Sequence, residues 1–249
     1  MKRGRAGAFF WYAVVAAIVV AVIFAVLTFR DRSPSRPANA AGVSTSSLLV
    51  ITWGPSMCKV EPSNSGCKSG HVRNMGQNFV LHGLWPQPST EQYCEVPKGT
   101  PDRSRNPVRL PPDLAANLKA MMSDSAVMTT HEWYAHGTCS GVTPPEYFGI
   151  AAALADQAGR VLAPMFKQAV GQRVTARSVR EAVDAQLGVG AGKRVRLTCR
   201  DTSGAGSIVY EVRFSLAPVA QLQRNTPSLA GALIGGPTVT PGCGQAGIP

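Results

Sequence analysis

Three of the four histidines in this chain fall in two short stretches, Phe79-Val80-Leu81-His82-Gly83-Leu84-Trp85-Pro86 and His131-Glu132-Trp133-Tyr134-Ala135-His136-Gly137-Thr138-Cys139. The second packs two imidazoles and a carboxylate into six residues, and the first sets a third imidazole beside a Trp-Pro pair. Imidazole titrates near neutrality, so such a grouping is suited to moving protons. Metal binding is the other chemistry to weigh. A zincin helix carries its histidines at i and i+4. Here His131 and His136 stand at i and i+5, about 140° apart on an unbroken helix, which argues against that arrangement. Glu132 and His136 would share a face, and a carboxylate beside an imidazole raises its basicity. Without a metal, two imidazoles and a carboxylate suit general acid–base phosphoryl transfer. A neutral ring takes a proton from the attacking hydroxyl, a protonated ring gives one to the leaving oxygen, and donor groups stabilise the phosphorus oxygens. RNA carries its own nucleophile in the 2′-hydroxyl. The pattern therefore admits RNA cleavage without selecting it, since a lone histidine or tryptophan also packs structurally.

The elements that must position these residues read as a mixture. Ser47–Trp53 is an apolar, β-branched run expected as a buried strand, and Gly54-Pro55-Ser56 breaks it. Cys58 and Cys67 bracket a turn-rich loop. Phe79–Leu84 is a second strand, cut by Pro86. Residues 87–112 are Pro-rich and aperiodic, a long surface loop holding Arg103, Arg105 and Arg109. Helices are expected over Asp113–Ser123, over Glu146 to about Val170 with a kink at Pro164, and over Thr175–Leu187 with Thr175 as cap and Gly188 as stop. Arg194–Cys199 and Ser207–Leu216 alternate as a hairpin, and the Gly/Pro-rich tail from Pro227 reads as coil. This is an α+β pattern. Of the other aromatics and histidines, Trp133 and Tyr93 read as packed, Trp85 as partly exposed and His71 as solvated.

The N-terminus stands apart. Lys2, Arg3 and Arg5 precede an uncharged stretch from Ala6 to Phe29, long enough to cross a bilayer core. Arg30-Asp31-Arg32 and a Pro/Ser linker follow, then Ala38-Asn39-Ala40, a tripeptide of the kind signal peptidase cuts after. Residues 1–29 thus read as a signal anchor or a long signal peptide, and 30–46 as a linker. Both readings deliver the remainder outside the membrane, anchored or released after cleavage near Ala40. Residues 1–40 carry six Lys/Arg and one Asp, which leaves +6 of the formal +11 on residues 41–249. A moderately basic domain suits a polyanionic partner. All six cysteines lie beyond the linker, none in a CxxC, as suits bridges in an oxidising compartment; six cysteines allow 15 pairings.

FVLHGLWPQ and HEWYAHGTCS resemble the two active-site segments of the ribonuclease T2 family, usually HGLWP and HEWxKHGTC. LLVITWGPSMC resembles the family's opening strand and first cysteine, and VRLTCRDTSGAGSIVYEVRFSL its C-terminal strand pair. The resemblance implies a single T2-type α+β domain over residues 47–249, with a central antiparallel sheet flanked by helices. It implies cofactor-free endonucleolytic cleavage of single-stranded RNA by a monomer, through a 2′,3′-cyclic phosphate to a 3′-phosphate. Matched by position, it implies His82 as general acid, His136 as general base, His131 and Glu132 on the phosphate, and Trp85 as a substrate-stacking face. It also implies the bridges Cys58–Cys67, Cys94–Cys139 and Cys199–Cys243. Two positions depart. Ala135 stands where the family usually has lysine, which leaves open a weak or inactive RNA-binding or envelope-interaction domain unless an arginine, for example from 103–109, substitutes. Gln87 stands where an aspartate often reads a base.

Overall fold

The computed structural model describes residues 44–97, 107–204, 206–222 and 227–249. The expected signal or anchor segment, nearly all of the linker, and Arg103 and Arg105 lie outside the described residues. Among those described, no helix is long and apolar enough to cross a membrane.

Among the described residues six strands make one sheet: β1 (Ser46–Trp53), β2 (Phe79–Gln87), β3 (Arg173–Thr175), β4 (Val195–Thr202), β5 (Gly206–Leu216) and β6 (Gln245–Gly247). β1 lies between β2 and β5, antiparallel to both, and β4 runs antiparallel along the other side of β5. The expectation of a purely antiparallel sheet is corrected here. β6 pairs in parallel with β5 at Ile208–Gly247 and antiparallel with β3, so the sheet is mixed. A three-residue strand is too short for alternation to announce it, which is why the tail read as coil; it also contains a short helix, Leu229–Ile234.

Ten-residue α4 (Pro112–Met121), α5 (Ser125–Ala135), the long α6 (Pro144–Gln168) and α7 (Ala176–Leu187) follow three short helices in the β1–β2 connection, α1 (Gly54–Val60), α2 (Ser65–Lys68) and α3 (His71–Asn74). Pro55 opens α1 instead of ending structure, because a helix's first turn has no use for the N–H that proline lacks. Thr175 caps α7 by accepting from Ser178 N–H at 3.0 Å. α6 starts at a Thr143–Glu146 capping box. Its inward face packs Tyr147, Leu154, Leu162 and Phe166 against Leu49, Ile51, Leu81, Leu84, Val212 and Phe214 of the sheet. Trp53, Phe79 and Phe166 meet with ring centroids 4.8–5.2 Å apart. Pro86 does not cut β2, which continues to Gln87. Among the described residues β2 pairs only with β1 and lies at the sheet edge, where the amide that proline lacks would face away from the ladder.

Two bulges shape the face of the sheet turned away from α6. Between β1 and β2, Val50 pairs with Gly83 and Ile51 with Leu81, so His82 is an extra residue between the core side chains of Leu81 and Leu84. Between β4 and β5, Thr198 pairs with Glu211 and Cys199 with Val209, which makes Tyr210 the extra residue. A bulge interrupts the two-residue alternation and re-aims a side chain. Here both extra residues leave the α6 side: Tyr210 joins a small cluster with Met57, Val72 and Val80, and its hydroxyl bonds the Glu61 carboxylate.

Candidate functional site

His82 leaves its bulge toward the second stretch. Its ring lies edge-on to Trp85 with centroids 5.1 Å apart, and Trp85 in turn lies 5.4 Å from His136, tilted by 32°. One indole is thus flanked by imidazoles from both stretches. Trp85 Nε1 donates to Glu132 Oε2 at 2.9 Å, a second tie from this indole to the His131–Cys139 stretch. β2 is held from the other side by Tyr147 of α6, whose hydroxyl donates to Leu84 O at 2.6 Å.

The geometry of α5 corrects the argument from helical spacing. The helix stops at Ala135, and His136 takes φ −128°, ψ −50°, with a single 3-10 turn, Gly137–Cys139, following. Leaving the helix brings the His136 ring back to 6.1 Å from that of His131. One donor atom each from His131, Glu132 and His136 lie within 4.8 Å of one another. The 140° divergence therefore does not apply, and spacing alone carries no argument against a cation here. Thr138 Oγ1 donates to Tyr134 O at 3.0 Å and satisfies one of the helix's last carbonyls. The Cys94–Cys139 disulfide ties this turn to the segment after β2; the others join Cys58 to Cys67 and Cys199 to Cys243.

Charge is unevenly shared. Glu132 is 1% exposed; burial pushes its carboxyl up to about 7, against the pull of His82, the Trp85 N–H and His131. Its Oε1 has no hydrogen-bond partner among the described residues. For His82, burial alone would lower the imidazole's pKa. The hydrogen bond to Glu211 and the charges of Glu132, Glu211 and Glu61 outweigh it, so the net direction is up, toward the protonated form.

Trp85 is half-buried as read, and Trp133 packs at the core's edge, 5.9 Å from Tyr147. Tyr93 corrects its reading: it is exposed, with φ 53°, and its N–H donates to Ala135 O at 3.0 Å. His71 is not merely solvated; its Nε2 lies 3.2 Å from Met122 O. Gln87 lines a cavity of about 440 Å³ with Arg196 and Arg213. Ala135 is buried. The guanidinium beside the indole comes from β5: Arg213 lies over the Trp85 ring at 5.3 Å.

Sequence reasoning missed Gly83, Glu211 and Arg213. A Cβ on Gly83 would lie 1.9 Å from Glu132 Oε2, so this glycine lets the carboxylate reach the strand. Glu211 and Arg213, two charges within the apolar run Ile208–Leu216, were a signal in themselves, since charged groups inside an interior strand need partners.

Comparison with known proteins agrees with this arrangement. The chain is 33% identical over 106 residues to a ribonuclease of Aeromonas hydrophila, covering 43% of this chain and 42% of that protein. It is 28% identical over 155 residues to ribonuclease MC of Momordica charantia, covering 61% and 78%. The chain thus spans less than half the length of the first relative and about three quarters of the second. Among solved structures, RNase NT in complex with 5′-AMP aligns at a TM-score of 0.54 and 21% identity, covering 70% of this chain and 86% of that one. A mutant of RNase MC1 in complex with 5′-UMP aligns at 0.52 and 23%, covering 70% and 89%. These two share the fold. The model of the ribonuclease T2 family matches residues 45–226, a span that takes in both histidine stretches and β1 through β5, and by that match the chain belongs to the ribonuclease T2 family.

Proposed function

We propose that this protein is a metal-independent endoribonuclease acting on single-stranded RNA. The observation that carries the reading is the shared indole: His82 and His136 flank Trp85, while Glu132 is hydrogen-bonded to it. In the proposed reaction His136 takes the proton of the 2′-hydroxyl, whose oxygen attacks phosphorus. The bond from phosphorus to O5′ breaks, and His82 gives its proton to that oxygen. The product is a 2′,3′-cyclic phosphate, which water opens to a 3′-phosphate with the two rings exchanging roles. The upward direction for His82 supports its assignment as acid, since a proton donor must be loaded near neutrality. His131 and Glu132 would contact the phosphate oxygens, Glu132 as a hydrogen-bond donor while it holds its proton. Trp85 would bind substrate with whatever ring area His82, His136 and Arg213 leave open.

We assign residues 47–249 to the catalytic domain, 1–29 to a signal anchor or long signal peptide and 30–46 to the linker. The domain would act outside the membrane as a monomer, either tethered through residues 6–29 or released near Ala40. Sequencing the N-terminus of the exported product distinguishes these forms. The second reading, an RNA-binding domain with little turnover, is favoured by Ala135 alone. Incubating the purified full chain with single-stranded RNA, with and without EDTA, tests both. Cleavage unaffected by EDTA, with cyclic phosphate ends seen by mass spectrometry, supports the enzyme. Binding without cleavage supports the second reading, and loss on chelation would assign the His131–Glu132–His136 group to a metal.

A further inference from the structure

Glu211 is 2% exposed, and both of its oxygens are engaged. Oε1 lies 3.0 Å from Nδ1 of His82. Oε2 accepts from Arg213 Nε at 2.9 Å and from Arg213 Nη2 at 2.7 Å. Arg213 then lies over Trp85, and Trp85 meets His82, so the four side chains close a ring of contacts. Two strands supply all four: β2 gives His82 and Trp85, and β5 gives Glu211 and Arg213, two residues apart on one face. A carboxylate this deeply buried stays ionised only with such partners.

Two carboxylate oxygens that both accept leave nothing for His82 Nδ1 to do except donate. The ring nitrogen whose proton can come and go is then Nε2. We propose that Glu211 is a positioning residue for His82: with Arg213 holding it in place, it keeps the Nδ1 proton fixed and leaves Nε2 as the atom that delivers a proton to the leaving oxygen. This rests on the reading of His82 as general acid given above. In that step the Nε2–H bond breaks and O5′–H forms, while the electron pair of the bond from phosphorus to O5′ goes to O5′. The ring ends neutral with Nδ1–H still bonded to Glu211. Other charged or titratable groups around His82 are Glu132 from α5, Glu61 just after α1, Arg213 through Glu211, and His136 across the indole.

The test compares two esters of one 3′-nucleotide, using the full chain. A dinucleoside phosphate has an alkoxide leaving group that needs the proton; a p-nitrophenyl ester leaves without one. Glu211→Gln should lower kcat on the dinucleoside phosphate by about 10-fold or more. It should leave kcat on the nitrophenyl ester near the wild-type value, and it should move the alkaline limb of the dinucleotide profile to lower pH. Equal loss on both esters would make Glu211 merely structural and overturn the proposal. A wild-type chain that cleaves neither ester would instead overturn the nuclease reading beneath it. Should the variant not fold, ¹⁵N NMR of the wild-type imidazoles decides: Nδ1 protonated throughout with Nε2 titrating is the expected state, and a neutral ring with its proton on Nε2 overturns the proposal.

Discussion

Gly83 and Glu132 are pressed against each other: a methyl group on the first would sit 1.9 Å from a carboxylate oxygen of the second and 2.6 Å from Trp85 Nε1. The backbone of β2 is therefore part of the site's wall. Gly83→Ala must push Glu132 off the Trp85 N–H while leaving the core on the other face of the sheet untouched. We expect a folded variant, with Tm lowered by several degrees, that has lost most RNA cleavage. Unchanged kcat alongside a normal circular dichroism spectrum would show that the Trp85–Glu132 bond is dispensable.

Glu132 also sets a pH dependence of stability. In the fold its carboxyl holds a proton up to about 7, whereas the unfolded value is 4.5. The native state thus binds more protons between these values, so this group's contribution is most favourable below 4.5 and is lost as pH rises toward 7. Glu132→Gln removes the cost of burying the charge. At pH 8 it should be more stable than wild type by on the order of 1–3 kcal/mol, a gain that fades by pH 4.5, while activity falls. Urea melts at the two pH values measure this.

His82→Ala and His136→Ala should each lower kcat by a factor of about 10²–10⁴ with the fold retained. Two imidazoles in opposite protonation states require a bell-shaped pH–rate profile, and the raised His82 places its alkaline limb above the ordinary imidazole value of 6.5. Rates measured from pH 4 to 9 check it; a flat profile would exclude the paired-imidazole mechanism.

Ala135 sits buried at the last turn of α5, with its carbonyl held by Tyr93 N–H. An ammonium has no room there without displacing that packing. Ala135→Lys should therefore destabilise by about 1–3 kcal/mol and bring no gain in rate, because Arg213 already supplies a guanidinium beside Trp85. A faster enzyme would show that a cation at this position is what the site lacks.

Cys94 and Cys139 close a loop of 45 residues that contains α4 and α5, and Cys139 is three residues from His136. Replacing both by alanine should cost about 2–5 kcal/mol and loosen His136, raising KM as well as lowering kcat. Thermal melts and steady-state kinetics of the double variant measure both effects.

Much of this was legible in the sequence where a signal repeats. A continuous β-branched apolar run marked β1, alternation marked β4 and β5, helical periodicity marked α6, and the Thr175 cap and Gly188 stop marked α7. The two histidine stretches marked the site because imidazole is scarce in the chain. What stayed hidden depended on backbone irregularity or on distant partners. The turn of His136 back toward His131 follows from α5 ending at Ala135, where the spacing argument assumed an unbroken helix. The hold of Glu211 on His82 spans 129 residues and appears only once β1 separates their strands. Short helices α1 to α3 were unreadable because four to seven residues give too little period, and Pro55 pointed both to a break and to a helix start.

The extra residue at position 82 has one more consequence. Delete His82 alone, and Gly83 follows Leu81 directly, so the edge ladder can zip up without interruption. The protein so made would keep its interior and lose the imidazole on its working face: in this strand, regularity and reactivity exclude each other.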